Sequence, residues 1–396
     1  MAKQKIIQLT LSDYQQRACA SNQFSGKETA IDQLRFGLFG EIGSALSLVK
    51  KSHRDLQAAD LAGIGEELGD ALWYLTTIVS EYGSNLNEVG ITSLAKLQKH
   101  FGVNRDAHEQ NLTFVQFDGL IDFCRSKLKH ENMLNQLRQL GIDCGRLMEG
   151  EENNLTASQH LDQLSTILAD IVIVGAHFEQ SFANIAERNL IKIESRWPPE
   201  GTAHILLFDE NRILLEKFPR SFSMKFIQLK NSSGKPYVIQ QMNGVNIGDR
   251  LTDNRTKADG YRFHDVFHLA YLVHLGWSPV IRALLKLKRK SDSDIDENED
   301  GARAIIIEEG IATWIFNHAH RRDYFENIQT GRLDYNILKQ VVDMVEGYEV
   351  AACPMWQWEK AILDGFEIFR KLNEIGGGNV HVDINQRTLA FEPFTS

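Results

Sequence analysis

Two short stretches hold the acids best placed to do chemistry: Gly40-Glu41-Ile42-Gly43-Ser44, and Glu66-Glu67-Leu68-Gly69-Asp70-Ala71-Leu72-Trp73 further on. Glu67 and Asp70 are three residues apart, so on a helix they project from the same side. Glu41 takes the matching place on the helical segment before them. Carboxylates that converge inside a helical bundle repel one another and lose hydration unless a cation lies among them. An all-oxygen set calls for a hard divalent ion, Mg²⁺ first with Mn²⁺ as a substitute, whose usual task is to hold phosphate oxygens.

A second constellation is Tyr261-Arg262-Phe263-His264-Asp265-Val266-Phe267-His268. His264 and His268 stand at i and i+4, the chelating spacing for a transition metal on a helix, in a string that departs from His-Glu-x-x-His by its shorter acid. Glu308 or Glu309 could add a third ligand or a general base, with Asp265 as a further catalytic candidate and Arg262 placed to meet a phosphate. The His264-Asp265 pair is also similar to the signature of HD-type phosphohydrolases, although that fold's other ligands have no counterpart here. Phe263 and Phe267 equally suit a core helix with buried, hydrogen-bonded histidines. The run Lys286-Leu287-Lys288-Arg289-Lys290 and the acidic stretch after it read as a solvated loop, the basic half being a candidate phosphate grip. Gly376-Gly377-Gly378 reads as a hinge, and no phosphate-cradling glycine loop appears.

Helices must position the acids. Residues 10 to 102 carry apolar spacing for four: one capped by Thr10 or Ser12, then Glu28 to Lys51, Ala62 to Tyr82 and Leu86 to His100. Short connections make neighbours antiparallel in a bundle. Residues 106–198 read as a worn copy of 1–105: Leu9-Thr10-Leu11 is echoed by Leu112-Thr113-Phe114, Glu41 by Asp143, Asp70 by Asp170, and Leu94-Ala95-Lys96 by Leu190-Ile191-Lys192. In the copy Glu67 becomes Ile167 and Ser44 becomes Arg146. Past a linker at Trp197 to Gly201, β-type runs at Ile205–Phe208, Phe222–Leu229 and Tyr237–Met242 precede a helical block from Phe263 to Leu372, and a strand-like stretch runs from Val380 to Phe391. The expected architecture is mainly α: two four-helix repeats, 1–105 and 106–198, then an α+β domain at 202–396.

With the motifs so placed, the first repeat resembles the all-α nucleoside triphosphate pyrophosphohydrolases of the MazG type. Gly40-Glu41-Ile42-Gly43, Lys50-Lys51, Glu66 through Leu75, and Ser93-Leu94-Ala95-Lys96 carry the resemblance. It implies cleavage of a nucleoside triphosphate between the α and β phosphates, with Glu41, Glu67 and Asp70 as the Mg²⁺-binding and catalytic acids. Lys50, Lys51 and Lys96 would steady charge on the leaving pyrophosphate. Ser44 departs from the family's Glu-x-x-Glu pattern, which leaves a second metal position in question. The closing Asn189-Leu190-Ile191-Lys192 lies close to the family's Asn-Leu-x-Lys pattern. The resemblance also implies a bundle completed by a second subunit, hence a homo-oligomer; here the second repeat could replace that subunit, turning Asn189 and Lys192 toward the first repeat's metals. The region from 202 on resembles a C-terminal extension seen on some MazG-type proteins.

The chain has 396 residues, 43% of them hydrophobic, which suffices for two or three cored domains. A net charge of −10 argues against a nucleic-acid coat or an anionic-membrane binder. Four scattered cysteines, no apolar leader and no 18-residue apolar run point to a cytoplasmic protein with free thiols. The leading expectation is a Mg²⁺-dependent pyrophosphohydrolase with a C-terminal nucleotide-processing or sensing domain, serving pool sanitation or nucleotide depletion under stress or phage attack. Two rivals are a hydrolase whose main chemistry lies at His264, Asp265, His268 and Glu309, and a regulator that binds nucleotide without turnover.

Overall fold

The computed structural model describes residues 8–55, 60–104, 111–149 and 156–394, so the expected junction at 105/106 lies outside the described residues. The chain divides into two compact units, Met1–Glu194 and Ser195–Ser396.

Among the described residues the first unit holds eight helices: α1 (Leu11–Cys19), α2 (Ala30–Asp55), α3 (Leu61–Glu81), α4 (Leu86–His100), α5 (Phe114–Leu128), α6 (Met133–Met148), α7 (Ala157–His177) and α8 (Phe182–Arg196), whose last turn passes the unit boundary. Side chains that accept from the first-turn amides start several of them: Thr10 for α1, Asp60 for α3, Asn132 for α6, and Thr156 in a reciprocal pair with Gln159 for α7. Of the two sequence candidates for capping α1, Thr10 does the work. The buried stripe of α3 (Ile64, Leu68, Leu72, Leu75, Val79) recurs at helical spacing and faces the core.

The two sets of four helices correspond in order, and their last two members also in length. α3 and α7 are each 21 residues long, and α4 and α8 are each 15. Equivalent helices pack on one another, α2 on α6 and α3 on α7. Two backbone bonds between equivalent positions are reciprocal: Leu11 N–H donates to the Leu112 carbonyl (2.9 Å), and Phe114 N–H to the Leu9 carbonyl (3.4 Å).

The second unit is α+β. Five antiparallel strands, β1 (Ser221–Lys230), β2 (Pro236–Met242), β3 (Val245–Leu251), β4 (Gly377–Asp383) and β5 (Thr388–Glu392), lie in the order β3-β2-β1-β4-β5. Asn243 and Gly244, both with positive φ, make the two-residue β2–β3 turn. The helices are α9 (Asp265–Leu275), α10 (Pro279–Leu284), α11 (Ser293–Asn298), α12 (Ala302–Ala319), α13 (Tyr335–Met344) and α14 (Met355–Ile375). Every residue of α9 is buried, and it packs on α14 where a Cβ at Gly365 would stand 3.1 Å from that of Ala270.

Four expectations are corrected here. Ile205–Phe208 is not a strand: among the described residues no partner pairs with it, and its apolar side chains pack on the core instead or lie exposed. Gly376-Gly377-Gly378 is not a hinge; Gly376 caps α14, Gly377 and Gly378 pair with Ile227 and Phe226, and a Cβ at 377 would lie 2.4 Å from the Phe226 carbonyl. Arg289 is not in a solvated run but buried, bonded to Asp300 and Glu349. Trp197 belongs to the second unit, not to a loose linker: its indole donates to the Gly331 carbonyl at 3.2 Å. Among the described residues no single helix is long and apolar enough to cross a membrane.

Candidate functional site

α2 supplies Glu41, and α3 supplies Glu67 and Asp70. The two helices come close because position 37 has no side chain: a Cβ there would fall 2.2 Å from the Tyr74 ring. Trp73 pins α3 to the end of α1, its indole donating to the Ala18 carbonyl and Ser21 Oγ, each at 3.0 Å. Glu41, Glu67 and Asp70 then each offer a carboxylate oxygen, all within 4.8 Å of one another. At that range two unit charges repel by about 4 kcal/mol even in a partly polar surrounding. Glu41 answers by holding a proton: burial first, then Asp70 and Glu67, push its carboxyl up to about 8, against the pull of Lys192. Burial also raises Asp70, with Lys192 opposing.

The fourth helix of the second set faces this cluster. Lys192 bonds to Asp70 and lies 3.2 Å from Glu66. Asn189 donates its amide N–H to Asp70 Oδ1 (3.0 Å) and accepts from the Tyr14 hydroxyl (2.7 Å), which fixes its orientation. Gly69 permits the approach, since a Cβ there would stand 3.1 Å from that of Asn189. Beside the acids lies a pocket of about 260 Å³ walled by Glu66, Gly69, Ile185, Arg188, Asn189 and Lys192. Tyr14 and Arg188 were not singled out from sequence, and Glu66 and Gly69 were quoted within the motif without a role of their own. Glu66 precedes Asp70 by four residues and so shares its face, a signal the motif already carried.

The other predicted cations go elsewhere. Lys50 and Lys51 are exposed and stand nine and ten residues beyond Glu41 on the same helix, roughly 13–15 Å along its axis. Lys96 pairs with Asp162 at 2.6 Å and partly opposes the upward shift of Asp170, taking toward the second set the place Lys192 takes toward the first. There the acids are answered internally: Arg146 and Gln139 both donate to Asp143 at 2.7 Å, while Asp170 is pushed up to about 8 by burial and then by Asp143.

In the second unit, Gly260 (φ +89°) turns the chain into a short 3-10 turn that leads to His264 and α9. The histidines and Glu309 converge: His264 Nε2 and His268 Nε2 lie 3.8 and 3.5 Å from Glu309 Oε2. Glu308 does not join them. It is wholly buried and accepts from His268 Nδ1 (2.9 Å), Ser278 Oγ (2.7 Å) and the Val280 amide (2.8 Å), which corrects its expected place as a metal ligand. Asp265 accepts from Gln240 (2.7 Å) and lies 3.1 Å from His264 Nε2. Arg262 is also corrected: it is buried against Asp253 (3.0 Å) and Gln228 (2.7 Å), so its charge serves the fold and not a phosphate. Burial opposes a charge on His268, but Glu308 and Glu309 outweigh it and raise its pKa.

The molecule is thus a mainly helical, two-unit protein with an acid cluster in one unit and a histidine–carboxylate cluster in the other. Residues 203–395, a little under half of the chain, match a family model, the MazG C-terminal domain, which links that region to MazG-family proteins. No curated protein and no solved structure matches the chain.

Proposed function

We propose that the first unit is a Mg²⁺-dependent nucleoside triphosphate pyrophosphohydrolase, yielding a nucleoside monophosphate and pyrophosphate. The observation that carries this is the meeting of Glu41, Glu67 and Asp70 with Lys192 and Asn189 from the other helical set. Three half-buried carboxylates, one of them protonated toward pH 8, form an all-oxygen donor set suited to a hard divalent ion. Glu41, Glu67 and Asp70 would hold Mg²⁺, which when bound neutralises phosphate charge and polarises the scissile bond. Lys192 and Arg188 line the pocket where a phosphate chain would lie, and their charge favours the departing pyrophosphate. A carboxylate of the cluster accepts the proton of the attacking water. Asn189, locked by Tyr14, keeps Asp70 pointed at the cluster. The pocket volume lies just below the usual range for small-molecule sites, which suits the phosphates better than a whole nucleotide.

The two helical sets support a reading as a tandem duplication whose second copy keeps only Asp143 and Asp170 of the acids and has become a wall for the first. The test is a panel of ribo- and deoxyribonucleoside triphosphates with Mg²⁺ or Mn²⁺, resolving pyrophosphate from orthophosphate. Glu67→Ala should abolish pyrophosphate release, and Lys192→Ala should lower kcat/KM by roughly 10²-fold. Persistence of release in Glu67→Ala would move the chemistry to the second unit. Tight Mg²⁺-dependent nucleotide binding without product would make the chain a regulator.

A further inference from the structure

We propose that His264, His268 and Glu309 form a second metal centre, selective for a zinc-type divalent ion, with a coordination position left open beside Glu309. Each imidazole has its Nδ1 already engaged, His264 with the Tyr261 carbonyl and His268 with the Glu308 carboxylate, both at 2.9 Å. Those oxygens only accept, so each Nδ1 keeps its hydrogen and Nε2 is the nitrogen left to offer a lone pair to a metal, His268 giving up its second proton as the metal binds. The two lone pairs and a Glu309 oxygen converge within 4.8 Å.

The separations decide between a hydrogen-bonded cluster and a ligand cage. His268 is fully buried, yet its Nε2 makes no hydrogen bond. Its 3.5 Å to Glu309, and the 3.8 Å from His264, are too long for hydrogen bonds. They lie close to the edge of a tetrahedron, roughly 3.3 Å, whose ligands stand about 2.0–2.1 Å from a central zinc. His264 Nε2 also faces Asp265 Oδ1 at 3.1 Å, two electron-rich atoms that a cation between them would reconcile. Gln240 holds the other Asp265 oxygen, so Asp265 stands as a fixed further oxygen at the rim.

Glu308 is the positioning residue. Saturated by Ser278, Val280 and His268, it fixes the imidazole as a carboxylate–histidine–metal arrangement requires. Glu309, by contrast, has a side chain 39% exposed and forms the side open to solvent. Two imidazoles and one carboxylate favour zinc over magnesium, the reverse of the all-carboxylate cluster in the first unit.

The full-length protein, stripped with a chelator and reloaded, tests this by zinc titration and by the visible spectrum of its Co²⁺ form. One zinc per chain should survive gel filtration in excess Mg²⁺, and Co²⁺ should give the intense bands of a four-coordinate site. Both should be kept in Glu67→Ala. Glu309→Gln, at a half-exposed position that leaves the core intact, and His264→Ala should lose both, while Glu308→Gln should weaken zinc binding about 10–100-fold. The proposal is overturned if the wild-type chain retains no zinc, if folded Glu309→Gln and His264→Ala retain it equally, or if Glu67→Ala abolishes it.

Discussion

Glu41 carries the clearest consequence at the scale of a single residue. Its ordinary value is 4.5, and burial with the neighbouring Asp70 and Glu67 moves it to about 8. A carboxyl that binds its proton more tightly when folded stabilises the fold fully below the unfolded value and loses that contribution as pH rises through the folded one. Asp70, raised for the same leading reason, acts in the same direction. The melting temperature of chelator-treated protein should therefore fall between pH 4.5 and 8. Glu41→Gln should flatten that slope, and Mg²⁺ should oppose it most strongly at the alkaline end, where the ion no longer competes with a proton. A slope unchanged in Glu41→Gln would mean that the carboxyl does not titrate in this window.

At the scale of elements, Gly69 offers a separation of stability from function. Alanine in a helix interior is favoured over glycine by about 1 kcal/mol, while a Cβ at 3.1 Å from Asn189 forces α8 back by a few tenths of an ångström. The two effects should nearly cancel in melting temperature, yet pyrophosphate release by Gly69→Ala should fall by roughly tenfold because Asn189 loses its hold on Asp70. Arg289 predicts the opposite pattern: Arg289→Met removes the cation bonded to buried Asp300 and half-buried Glu349, leaving Asp300 only Arg282 at 3.5 Å, and should cost about 3–5 kcal/mol in denaturant unfolding. The helices of the first unit were readable because apolar spacing and caps are local, and Glu67 with Asp70 followed from three-residue spacing. Lys192 was reachable through the internal echo of Lys96 and the Asn-Leu-x-Lys pattern it closes. Tyr14 and Arg188 carry no local signal, since their roles arise from contacts far apart in sequence. Arg289 and Arg262 misled for a related reason: a charged side chain looks solvated until its buried partner is known. Glu308 and Glu309, adjacent in sequence, diverge because successive positions on a helix point about 100° apart.

For the whole molecule, the reciprocal bonds between Leu11 and Leu112 and between Phe114 and Leu9 have a consequence for stoichiometry. In an assembly of identical chains, any change to one copy is imposed on all, so a wall residue and a metal ligand cannot be refined apart. Here both halves lie on one polypeptide and have diverged: Arg146 bonds to Asp143 in one acid set, while Glu41, Glu67 and Asp70 converge in the other. Calorimetry should find a single nucleotide per chain with Mg²⁺, where two matched halves would take two. Freed from mirroring its neighbour, each half can be tuned for one task, and the molecule gives up one seat to shape the other.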